Sequence, residues 1–273
     1  MDTTSISYEK LDGVATITKI NEPQFGMTLG VLTEMRAALI DANNDEDVAV
    51  IVITAGGEGF HMGAVVFGEV REDWVFTPIE FKEIIEVGHE LFRMIETLEK
   101  PVIGVAKGGA VGGGLENLHV CDFVITADTA SLSQPEVTLG LIPGWGGTQR
   151  LTRMVGWRKA KELILAGVAV TGAEAAEIGL VTTSVPLDEV DDAVTALCDQ
   201  LKKCAPVAYG YAKRAMNKTW ETDHRSGLDY EVEAEGMVIS SGDFNVGVFE
   251  DFLAGRQPTF AKRKRITSGP EWR

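Results

Sequence analysis

Two stretches of this chain bring together residue types that can act on a carbonyl group. In Lys107–Glu116, KGGAVGGGLE, an apolar strand pattern ends, three consecutive glycines let the backbone approach a bound group closely, and a helix begins near Gly114. Free N–H groups and the positive end of that helix then point into one spot. Such a turn can hold an oxyanion or serve only as a tight strand-to-helix connection, and glycines alone do not choose between the two. The second stretch is Gly59-Phe60-His61-Met62-Gly63-Ala64, which follows another apolar run ending near Thr54. Two N–H groups from separate turns can grip a carbonyl oxygen as charge develops on it, and losing one such donor typically costs a factor of about 10² to 10³ in rate.

Two carboxylates stand beside these turns. Glu116 falls in the first turn of the glycine-led helix, with Leu115, Leu118 and Val120 for company. Glu136 lies between Pro135 and the run Val137-Thr138-Leu139 that leads into Gly140-Leu141-Ile142-Pro143-Gly144. Acids in apolar surroundings either find hydrogen-bond partners or have pKa values shifted toward neutrality, where they suit proton transfer. Taken singly, Glu116 reads equally as a helix-stabilising acid and Glu136 as a capped loop acid.

Composition narrows the alternatives. With 45% hydrophobic and 24% charged residues, the 273-residue chain is an ordinary globular one, and no apolar run approaches the ~20 residues that span a bilayer. MDTTSISYEK does not look like a secretory signal, and Cys121, Cys198 and Cys204 are odd in number and widely spaced, so a soluble cytoplasmic protein is expected. His61, His89, His119 and His224 lack metal-ligand spacing, so no metal is expected. A formal charge of −16 opposes nucleic acid and anionic membranes in its overall field. An anionic ligand must therefore be caught locally, and basic residues concentrate at Lys262–Arg265 and between Arg150 and Lys161.

The elements that must position these groups follow from periodicity. Residues 5–10 and 14–20 alternate around Asp12-Gly13, predicting a hairpin with a type I′ turn. Leu29, Leu32, Met35, Leu39 and Ile40 predict a helix, followed by a buried strand over Val48–Thr54. The order repeats with a helix through Phe81 to Leu98, a strand over Val102–Ala106, the glycine turn, a short helix and a strand over Phe123–Ala127. Alternating strands and helices predict an α/β fold with right-handed crossovers. Segment 68–80, with Trp74 and Phe76, reads as a long loop. Beyond residue 150 helices dominate, predicted over 157–166, 173–178, 188–203, 206–219 and 227–240, and their apolar stripes call for a neighbouring surface.

From about residue 5 to 260 the chain resembles the enoyl-CoA hydratase/isomerase (crotonase) family, most strongly over residues 108–156, GGAVGGGLENLHVCDFVITADTASLSQPEVTLGLIPGWGGTQRLTRMVG. The resemblance implies a crotonase-like α/β spiral of ββα units, with residues 1–200 as the core and 201–273 as a helical region used in oligomerisation, in a homotrimer or homohexamer. It implies Glu116 and Glu136 as the acid/base pair, Met62 and Gly113 as oxyanion-hole donors, and Ala64, Gly144, Trp145 and Lys262 as substrate-binding positions. The implied reaction is hydration of the 2,3 double bond of an enoyl-CoA thioester in fatty acid or aromatic acid degradation, Glu116 handling the water and Glu136 the C2 proton. No cofactor is implied, coenzyme A being part of the substrate. The same fold also serves isomerases, carbon–carbon bond hydrolases and non-catalytic CoA- or RNA-binding members.

Three positions depart from the family pattern. Ala64-Val65-Val66 lacks the usual acid, Gly26 replaces a common asparagine, and Trp145 stands where a small residue is usual. Trp145 therefore raises the expectation of a cyclic or aromatic acyl group. His61, beside an expected donor, is a candidate second acid/base group or simply a packed loop residue.

Overall fold

A computed structural model describes residues 5–20, 26–65 and 75–262. The chain opens with the hairpin β1 (Ile6–Leu11) and β2 (Val14–Lys19), joined by Asp12 and Gly13 at φ 47° and 76°, the left-handed pair that a type I′ turn requires. Helix α1 (Leu29–Asn44) starts where Thr28 accepts from Val31 N, and it buries Val31, Leu32, Met35 and Leu39 on the sheet. Strand β3 (Val50–Ala55) follows, then the two-residue β4 (Phe60–His61).

Helix α2 (Pro78–Thr97) begins inside the segment expected to be a loop, because Thr77 and Glu80 form a reciprocal capping box with Pro78 at the first helical position. Residues 68–74 of that segment, Trp74 included, lie outside the described residues. Next come β5 (Val102–Ala106), β6 (Gly109–Val111), α3 (Gly113–His119), β7 (Phe123–Ala127) and β8 (Ser131–Ser133). A 3₁₀ turn over Glu136–Leu139 leads to α4 (Gly147–Val155) and α5 (Trp157–Leu165). The remainder is β9 (Val170–Thr171), α6 (Gly172–Glu177), β10 (Thr183–Val185) and the helices α7 (Val190–Leu201), α8 (Pro206–Lys218), α9 (His224–Ser240) and α10 (Val246–Leu253).

The strands form two sheets, one ordered β1-β2-β3-β5-β7-β10 and a smaller one ordered β4-β6-β8-β9. Each turn of the chain gives one strand to the large sheet and the next to the small one: β3 then β4, β5 then β6, β7 then β8. The expected spiral of ββα units is therefore present, and all pairings inside it are parallel. As a consequence the short segments after β3, β5 and β7 converge on one end of the molecule, and these carry the glycine turns and Glu136.

The C-terminal helices are tied to this core by charge. Buried Lys213 of α8 reaches Asp122 (2.7 Å) and the Ile95 carbonyl (3.2 Å), while Arg214 pairs with Glu99 (2.6 Å). Farther out, α9 and α10 leave Val232, Met237, Ile239, Val246, Phe249 and Phe252 exposed.

Trp145 governs packing beneath the glycine turn. Its indole is 1% exposed, meets Phe92 edge-on at 5.6 Å, and lies where side chains on two glycines would be: a Cβ on Gly88 would come within 2.2 Å of it and one on Gly113 within 2.6 Å. Gly88 in the middle of α2 is the space that Trp145 fills. Gly88→Ala is expected to lower stability by about 1–3 kcal/mol, as overpacking does. Combining it with Trp145→Leu should recover part of that loss. Urea denaturation of the two single variants and the double variant checks this, and strictly additive effects would show that the two positions do not press on each other.

Candidate active site

Strand β6 is followed by Gly112, whose φ of +54° and ψ of −129° are open only to glycine, and a Cβ there would also come within 2.9 Å of Glu136 Oε1. The chain then enters α3 at Gly113, whose N–H, at the first helical position, has no partner among the described residues. The other glycine turn packs on it directly. A Cβ on Gly63 would lie 3.1 Å from Gly113 N, and one on Gly113 would lie 3.3 Å from Ala64 N. Met27 N donates to the Gly63 carbonyl (3.0 Å) and Val65 N to the Met27 carbonyl (3.3 Å), so the intervening Ala64 N–H is aimed the opposite way. The N–H brought beside Gly113 thus belongs to Ala64. Met62, the expected donor, instead turns its carbonyl toward Gly114, 2.8 Å from the position of a Cβ there.

Glu116, one turn into α3, is 2% exposed. Its Oε1 accepts two backbone hydrogen bonds, from Trp145 N (2.8 Å) and Gly147 N (2.6 Å), and its Oε2 accepts none from the described residues. One oxygen is anchored and the other is free for a ligand. Burial raises its pKa to about 7, against the opposing pull of Gly147 N–H, and the nearby Glu136 charge pushes it up further. Glu136 opens the 3₁₀ turn that Gly140 closes in the left-handed conformation, and its pKa too is raised by burial. Its Oε1 overhangs Gly112, so the two acids flank the glycine turn. An acid near neutrality with a second acid beside it can share one proton, one group taking and the other giving.

The remaining expected residues fall differently. Gly144 sits beside Ile85, where a Cβ would come within 3.0 Å of Cδ1, and its successor's N–H binds Glu116. The Trp145 ring lies in the core beneath the site, so it is no open aromatic wall, and its functional contact is its backbone. Lys262 is exposed and ion-paired with Asp47, which precedes β3 at the far end of the sheet from the glycine turns. His61 is fully buried, its Nε2 hydrogen-bonded to the Val105 carbonyl (2.7 Å), and burial with neighbouring Lys19 keeps it neutral. The packed-residue reading of His61 is the one this geometry favours.

Sequence reasoning gave Gly147 no role and placed Arg150 only in a basic concentration, whereas Arg150 is buried and paired with Glu96. Gly147 supplies the shorter bond to Glu116, and Arg150 donates to the Trp145 carbonyl (2.9 Å) while Glu96 accepts from its Nε (2.5 Å) and Nη2 (2.7 Å). Their signal was the Gly146-Gly147 pair opening α4, a second helix start aimed at the same acid.

Paired backbone donors, an anchored acid and a second acid at one end of a two-sheet spiral make an acid/base site with a place for negative charge. The family model described as enoyl-CoA hydratase/isomerase matches residues 9–263, and the chain belongs to that family. It is 35% identical over 245 residues to the short-chain-enoyl-CoA hydratase of Clostridium acetobutylicum, covering 89% of this chain and 92% of that one. It is 33% identical to the crotonyl-CoA hydratase of Syntrophomonas wolfei, covering 95% and 98%. Among solved structures, an enoyl-CoA hydratase from Bacillus anthracis superposes with a TM-score of 0.86 at 32% identity, over 95% of this chain and all of that one.

Glu116 also makes a stability prediction. Its folded pKa of about 7 exceeds the ordinary carboxylate value, so between roughly pH 4.5 and 7 the folded protein holds a proton that the unfolded chain releases. Its contribution to stability is therefore greatest at low pH and falls as pH rises through that window. Glu116→Gln should be less stabilised than wild type on moving from pH 8 to pH 5, by a margin of up to about 3 kcal/mol. Thermal denaturation at the two pH values measures it, and equal pH dependence in both proteins would contradict the raised pKa.

Proposed function

We propose that the protein is an enoyl-CoA hydratase acting on a short acyl chain, with Glu116 and Glu136 as its acid/base pair and Ala64 N–H and Gly113 N–H as its oxyanion hole. The observation that carries this reading is Glu116 anchored through Oε1 by Trp145 and Gly147, with Oε2 unbonded among the described residues and the Glu136 carboxyl, over Gly112, near enough for its charge to act on Glu116. Water adds at C3 of the enoyl thioester while the carbonyl oxygen gains enolate character, which the two N–H groups stabilise. Glu116 takes a proton from the water and Glu136 delivers one to C2, so the product gains one water, the net charge of the pair is unchanged, and proton exchange with solvent returns the proton from Glu116 to Glu136. These steps need no cofactor beyond the coenzyme A carried by the substrate.

The Trp145 indole, buried under the site, offers no flat wall to a cyclic acyl group, and the relatives named for short-chain and crotonyl substrates favour a short chain. The exposed apolar residues of α9 and α10 fit burial against further copies of the chain in a homotrimer or homohexamer. In such an assembly Lys262, remote from its own protomer's glycine turns, would serve the coenzyme A phosphates of an adjacent subunit. Three unpaired cysteines fit a reducing, cytoplasmic setting, and no helix among the described residues is long and apolar enough to cross a membrane.

Loss of enoyl-thioester absorbance with crotonyl-CoA, with the product identified by its mass, tests the reaction. Glu116→Gln and Glu136→Gln should each lower kcat by about 10²- to 10⁴-fold. Undiminished hydration in both variants would remove the assignment, and a product of unchanged mass would replace hydration by isomerisation.

A further inference from the structure

Arg150 is 9% exposed and lies outside the acid pair, yet it is built into the loop that holds Glu116. Three successive peptide groups make up that loop. The first gives its N–H, that of Trp145, to Glu116, and the third gives that of Gly147. The middle one points its carbonyl, that of Trp145, the other way, where Arg150 Nη1 donates to it at 2.9 Å. The guanidinium occupies the space a side chain on Gly146 would need, since a Cβ there would fall 1.8 Å from Nη1, and Gly146 sits at φ +111°. On its outer side the fork is closed by Glu96 of α2, which accepts from Nε at 2.5 Å and Nη2 at 2.7 Å.

We propose, resting on Glu116 as the base in the reading above, that Arg150 with Glu96 is a positioning pair: by clamping the middle peptide it fixes where the Glu116 carboxylate sits and how tightly it holds a proton. Geometry supplies the first part, because rotating the Trp145–Gly146 peptide would swing both donor N–H groups off Oε1. Charge supplies the second. The Arg150 cation favours ionised Glu116, opposing burial and the Glu136 carboxylate, and Glu96 partly neutralises that cation. The other titratable groups around Arg150 are His89 of α2, with Arg93 beside it, and His119 of α3. Arg150 helps keep both histidines neutral, so within the working pH range Glu96 is the partner that sets its effective charge.

The two substitutions should therefore move Glu116 in opposite directions. Arg150→Gln removes the cation and should raise the pKa of Glu116 by roughly half to one unit, whereas Glu96→Gln frees the cation of its counter-charge and should lower it by a similar amount. Arg150→Gln should also lower kcat about 10²-fold with KM for crotonyl-CoA changed less than about threefold, as a misplaced base does. The experiment follows the Glu116 carboxyl by ¹³C NMR in the full-length protein, alongside pH profiles of kcat, with Glu116→Gln identifying the resonance. Glu96→Gln keeps shape and is partly solvent-facing, so it reports even if Arg150→Gln folds poorly. Opposite shifts support the clamp. No shift in the Glu96→Gln protein, or shifts of the same sign in both, would overturn it. Opposite NMR shifts without a matching change in the pH profile would leave the clamp standing and instead count against Glu116 as the base.

Discussion

A carboxyl group buried in a largely apolar interior is the constraint from which the rest of this site follows. Glu116 cannot remain in an apolar interior unpaired, and a lysine or arginine bonded directly to it would hold it permanently ionised. Backbone N–H groups solve the conflict, since they orient one oxygen without supplying a full charge. That choice dictates the local sequence. Donors from Trp145 and Gly147 require a turn that reverses at Gly146, and position 112 requires glycine, since any side chain there would meet Glu136. The raised pKa of Glu116 is the thermodynamic counterpart of the same arrangement.

The spiral of ββα units makes such convergence possible. Each passage from the large sheet to the small one delivers a short connection to the same end, so residues 63–64, 112–116 and 134–136 meet although they are far apart in sequence. Rigidity comes from behind. Trp145 fills the gap between α2 and the glycine turn, Gly88 yields the room, and the Arg150–Glu96 pair joins the loop that holds Glu116 to α2. A residue that departs from the family pattern thus acts from below the site through volume and through its backbone.

Sequence alone made much of this legible for definable reasons. The Asp12-Gly13 turn, the apolar period of α1 and the buried strands β3, β5 and β7 are each local patterns with one dominant solution. The acids Glu116 and Glu136 stood out because carboxylates are costly among apolar neighbours, and the family resemblance joined them. The small sheet was not legible, since strands of two and three residues in glycine-rich segments carry no periodicity. Nor was the choice between Met62 and Ala64, because every non-proline residue has an N–H and only the bridge to Met27 settles which one faces Gly113. The pairing of Lys262 with Asp47 spans 215 positions and depends wholly on how the C-terminal segment returns to the start of the large sheet.

The central claim is spatial: a thioester oxygen rests between two backbone turns while two acids stand on either side of the adjacent carbons. A crystal structure with a bound 3-ketoacyl-CoA, which mimics the enolate, measures it most directly. The account predicts the thioester oxygen about 3 Å from both Ala64 N and Gly113 N, with C2 and C3 between the Glu116 and Glu136 carboxyl groups. A thioester oxygen bound elsewhere, or either carboxyl group turned away from those two carbons, would contradict it.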